Sequence, residues 1–164
     1  MRNIRVWITM GCCLLAVTIF AWAQANRKPG LWTVTTNMTW QHSPMPQGMT
    51  MPGGGPHTTQ VCLTQAMLDK YGAPMTQDKD CKITNVIMKA SGMTADMVCT
   101  GMMNGKGNIT ATWTDGSHTN GKVHFAGSMQ AGSSPMPIEW TVESTSVFKS
   151  TDCGSVKPMP ISGN

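Results

Sequence analysis

The stretch CKITNVIMKASGMTADMVC, Cys81 to Cys99, decides how this chain folds. Its two halves, Cys81 to Met88 and Met93 to Cys99, read as strands. Between them, Lys89-Ala90-Ser91-Gly92 is a turn, so the stretch is a hairpin. Placing Cys81 opposite Cys99 sets Ile83 against Met97 and Ile87 against Met93. All six side chains then share one face, so the cysteine pairing and the apolar pattern agree on a single register.

Working outward, Leu31 to Trp40 (LWTVTTNMTW) places Trp32, Val34, Thr36, Met38 and Trp40 on one side and polar residues on the other. Thr58 to Leu63 is a second strand. Thr64 to Tyr71 is a short helix, with Thr64 as N-cap and Gly72 just past its end. Asn108 to Thr114 alternates with Ile109, Ala111 and Trp113 inward, and Asp115-Gly116 is a hairpin turn. On the return strand, Ser117 to Met129, the inward residues are Val123, Phe125 and Met129. A bulge at Asn120-Gly121 is expected there. Ile138, Trp140 and Val142 mark the last clear strand, which continues toward Cys153. Ser155 to Asn164 reads as a loose tail.

About seven to eight strands with one apolar face need a surface to bury it. The expected fold is mainly β: a strongly curved antiparallel sheet or open β-barrel with one short helix. Trp32, Trp40, Trp113 and Trp140 all fall on apolar phases and are read first as core.

The chain begins MRNIRVWITMGCCLLAVTIFAWAQA. Arg2 and Arg5 precede an uncharged apolar run that ends at Ala21-Trp22-Ala23, the layout of a cleaved secretory signal over residues 1–23. An uncleaved anchor is the competing reading, because about 18 apolar residues just span a bilayer. Residues 24–164 are then one domain by size, with no further membrane span. They carry 10 basic and 8 acidic residues, a net charge of +2, which is no footprint for nucleic acid. Cys62, Cys81, Cys99 and Cys153 remain after cleavage. Four cysteines in an exported chain read as two disulfides, in one of three connectivities. The hairpin register favours Cys81–Cys99, which leaves Cys62–Cys153. No CxxC pair suggests zinc or thiol redox chemistry. The expected location is periplasmic or extracellular.

Several pieces of the chain resemble the bacterial exported family called domain of unknown function 3617. They are KPGLWTVTT at Lys28 to Thr36, the PMPQGMTMP loop, TTQVCLT at Thr58 to Thr64, Cys81, the MVC ending at Cys99, and DCG at Asp152 to Gly154. The resemblance implies a small exported β-rich domain. It brings no activity and no catalytic residues.

Chemistry concentrates in HSPMPQGMTMPGGGPH, the flexible Met/Pro/Gly loop at 42–57. Thioethers are soft ligands that select Cu(I), and imidazole suits copper as well. Met45, Met49 and Met51, completed by His42 or His57, form the candidate metal set. The competing role is packing, since methionine is also a flexible apolar filler. His124 with Glu139 or Glu143 is the one imaginable acid–base pair, but no GxSxG or HExxH motif accompanies it. His118 reads as a solvent-facing strand residue. The sequons at Asn37 and Asn108 lie inside strands. The sequence therefore predicts a non-enzymatic exported domain, without a resident cofactor, that binds an apolar small molecule or an envelope partner. Its rival is a periplasmic Cu(I)-binding protein using the Met/His loop.

Overall fold

The computed structural model describes residues 27–44, 55–73, 79–131 and 134–158. The signal segment and Met45, Met49 and Met51 lie outside these residues. Seven strands form one sheet: β1 (Gly30–His42), β2 (His57–Leu63), β3 (Cys81–Lys89), β4 (Gly92–Thr100), β5 (Met103–Asp115), β6 (His118–Ala131) and β7 (Ser134–Ser150). The helix α1 (Gln65–Tyr71) follows β2. The spatial order is β2-β1-β7-β6-β5-β4-β3, and every neighbouring pair is antiparallel. Because β2 and β3 are both edges, the sheet is open rather than a closed barrel.

Curvature follows from what the helix touches. Met67, Leu68 and Tyr71 of α1 are buried in one cluster with Trp32 and Leu63 from one side of the sheet and Met93 and Ala95 from the other. On a flat sheet, β1 and β4 stand about 19 Å apart, four strand spacings. They share one core only because the sheet curls around α1. The helix is locally well specified. Thr64 Oγ1 accepts from Met67 N–H at 3.2 Å. Gly72 ends it in the left-handed region, at φ 71°, donating to Leu68 O at 2.8 Å.

The hairpin that opened the sequence argument pairs Cys81 with Cys99 and Ile83 with Met97. Beyond Thr84 the expected register fails. A bulge sets Ile87 opposite Thr94 and Met88 opposite Met93. Asn85 sits in it at φ 52°, a left-handed conformation that asparagine tolerates better than most residues. The extra residue turns Ile87 outward, where it is 57% exposed. The bulge expected at Asn120-Gly121 is absent, because β5 and β6 pair without interruption from Met103↔Met129 to Trp113↔Thr119. The irregularity lies instead between Trp113 and Asp115, next to the turn. Trp113 is held there by its Nε1–H to Ala90 O at 2.7 Å and by the Arg27 guanidinium 4.0 Å above its ring.

Two disulfides close the chain, Cys81–Cys99 within the hairpin and Cys62–Cys153 across 91 residues. The second ties edge strand β2 to the segment after β7. That segment turns at Val156, whose N–H donates to Cys153 O at 3.0 Å. Its Pro158 then forms an isolated parallel bridge with Cys62. The expected loose tail thus begins with residues laid along the free side of β2, where an open strand edge would otherwise present unpaired backbone groups.

Candidate functional site

The apolar face has two ends. Trp32, α1 and their neighbours fill the first, with Trp32 edge-on to Phe148 at 5.7 Å. The second is built on Phe125, Ile138 and Cys99, which are buried, and on Trp40, Trp140, Met97, Met103 and Met129, which are only partly so. Met38, Met136 and Val142 share this face by alternation and are also half-buried. Register brings the aromatic rings together: Trp40 lies opposite Trp140, and Trp140 opposite Phe125. The Phe125 and Trp140 rings stack at 5.3 Å with 19° between their planes.

Glycine makes room for that stack. Gly107 is the direct partner of Phe125, and Gly105 faces Gly127 beside it. A Cβ on Gly105 would come within 2.9 Å of Phe125 Cζ and collide with Ala126 O. The Phe125 ring therefore sits against glycine backbone, with the half-buried Trp140 stacked on it.

The opposite face is hydrophilic. Thr35, Asn37, Thr110, Thr112, Asn120 and Thr145 line a shallow trough of about 500 Å³ with the Lys122–Glu143 ion pair, 3.2 Å, in it. At the β1 end of this face, one carboxylate receives two imidazoles. His42 Nδ1 lies 2.8 Å from Glu139 Oε2, and His124 Nε2 lies 3.0 Å from Glu139 Oε1. These hydrogen bonds, His124's first and then His42's, hold the Glu139 carboxyl below its ordinary value. Folding therefore gains from this cluster at pH values above the unfolded carboxyl's pKa, and the gain is lost as pH falls through the lower folded value. In a carboxyl-carbon NMR titration, Glu139 is expected to titrate below an unstructured glutamate. His124→Ala should raise its midpoint more than His42→Ala; the reverse order would contradict this assignment of causes.

Of the predicted metal ligands, His42 and His57 fall among the described residues, and the structure does not bring them together. His57 lies opposite Thr36, six residues along β1 from His42, hence about 20 Å away. His42 is already engaged by Glu139. Among the described residues no three His, Cys, Asp or Glu side chains are grouped to hold a metal ion. His124 does meet Glu139, one of its two imagined partners, but that carboxylate is shared with His42 on a solvated face. His118 is exposed and held by Asp115, 3.0 Å away.

Sequence reasoning placed Met38 on the inward face of its strand but did not single out Met103 and Met136. The last two lie in stretches that look like loops, NGKG after Met103 and Pro135 and Pro137 around Met136. The usable signal was alternation, since Met136 continues Ile138 and Trp140.

These features define a small, open, disulfide-closed antiparallel β domain whose apolar face is plugged at one end and half-exposed at the other. The family model of a protein of unknown function, DUF3617, matches residues 27–153, and the chain belongs to that family. Neither the comparison with curated proteins nor that with solved structures finds a match.

Proposed function

We propose that this domain is a non-catalytic binding module of an oxidising, exported compartment. It takes an apolar small molecule on the half-exposed end of its apolar face. The carrying observation is the surface made by Trp40, Trp140, Met38 and Val142, which lies on the face that the rest of the sheet buries. All four side chains are partly buried and leave apolar area open on that face; tryptophan supplies large area with few rotamers to freeze. Methionine adapts to irregular ligands. The two disulfides and the apolar leader support export. The near-neutral charge argues against nucleic acid.

Displacement of an environment-sensitive dye by fatty acids and other apolar compounds tests the reading. Folded protein should bind the dye, and Trp40→Ala should weaken binding roughly 30-fold, the scale of a hot-spot aromatic, measured at a temperature where the variant is still folded. No binding to folded protein, or equal binding by the variant, would discard the small-molecule reading and leave a protein partner as the occupant.

A further inference from the structure

We propose that Met103, Met129 and Met136 together form a site for a soft monovalent metal ion, Cu(I). The register carries the argument. Met103 is directly opposite Met129 on β5 and β6, and Met129 is directly opposite Met136 on β6 and β7. The three form a rank across adjacent strands at the half-exposed end, and each is half-buried. All point to the apolar face, because Met129 shares its phase with Phe125, Met136 with Ile138 and Met103 with Ile109.

Directly opposed side chains have Cβ atoms about 5 Å apart. A thioether on three rotatable bonds spans such a gap, so the outer sulfurs can converge on the central one. Three neutral sulfurs in apolar surroundings favour Cu(I) and disfavour hard divalent ions, which require oxygen ligands and full charge compensation. Phe125 and Trp140 pack in the same cluster as Met103 and Met129 and keep the surroundings of the rank apolar. Packing alone would be served by valine or isoleucine, which strands prefer. A rank of three unbranched thioethers goes beyond that need.

The site goes beyond the apolar-ligand reading and does not depend on it. It also differs from the loop set, Met45, Met49 and Met51. Leucine separates these possibilities, since it keeps apolar bulk and removes sulfur. The probe is Ag(I), a soft monovalent ion that requires no reductant, so the disulfides stay intact. Disulfide-bonded protein with methyl-labelled methionine is titrated with Ag(I) and observed by NMR.

One equivalent is expected to shift the methyl signals of Met103, Met129 and Met136. Met129→Leu should weaken Ag(I) binding at least roughly tenfold, since even supporting residues around a metal cost that much. Melting temperature should stay close to wild type, because leucine keeps the apolar bulk. A variant with Met45, Met49 and Met51 changed to leucine should bind Ag(I) as wild type does. Absence of methyl shifts at one equivalent, unchanged affinity in Met129→Leu, or shifts confined to the loop methionines would each overturn the site.

Discussion

Changing Cys62 and Cys153 together to serine is expected to lower the unfolding free energy by about 4.5 kcal/mol, the loop-closure value for a link of this span. The bond joins residues 91 apart, so its loss frees most of the chain in the unfolded state. Its companion closes only 18 residues and joins two strands already paired as a hairpin. Changing Cys81 and Cys99 to serine should therefore cost less, about 3 kcal/mol. Replacing both partners avoids leaving a free thiol. Urea unfolding of the two double variants measures the difference, and a larger loss for the hairpin pair would contradict the ordering. In the Cys62/Cys153 variant the Pro158 bridge should also loosen, and amide exchange at Cys62 should rise selectively.

Phe125→Ala is the second large effect, a loss of about 3–5 kcal/mol. The ring is fully buried, stacked on Trp140 and seated over Gly107 and Gly105. Truncation leaves a space floored by the Gly105 and Gly107 backbone, with Met97 Cε the side-chain atom close to Gly107. The cost should therefore sit toward the upper end, because the residual cavity stays large. Trp140 also loses its stacking partner, so dye binding at the half-exposed end should fall together with stability. Calorimetric unfolding checks the first effect and dye titration the second. A loss under about 1 kcal/mol would mean that the site collapses freely.

Where alternation runs unbroken, the sequence showed the strand. LWTVTTNMTW lies within β1, and Thr64 and Gly72 bound the helix as read. The misses have distinct causes. Val86, Ile87 and Met88 are all apolar, so alternation could not fix the phase there; the Asn85 bulge escaped it and Ile87 was given the wrong face. The early part of β5 was hidden by Gly105 and Gly107, poor strand formers that are present because Phe125 lies on them. The start of β7 was hidden by Pro135 and Pro137. Both pair with β6 before β1 joins the other side at Glu139, so among the described residues they have a strand on one side only, where proline is tolerated. The candidate site suffered most. A rank such as Met103, Met129 and Met136 exists only after the register of three strands is known, while the conspicuous methionines of the loop needed no register to be noticed.

The position of β1 has a kinetic consequence. It is the first strand in the chain, yet it lies inside the sheet, between β2 and the last strand, with Leu31 opposite Ser150. A chain appearing N-terminus first can form β1 with β2 early, but Trp40, which lies beyond the part of β1 that pairs with β2, stays unpaired until β7 arrives. The fold therefore has high contact order, and its slowest step is the closure of nearly the whole polypeptide into one loop. Until then the unpaired side of β1 is an adhesive edge, and a chain interrupted before β7 is an aggregation-prone species, a natural client for a chaperone that holds extended apolar segments.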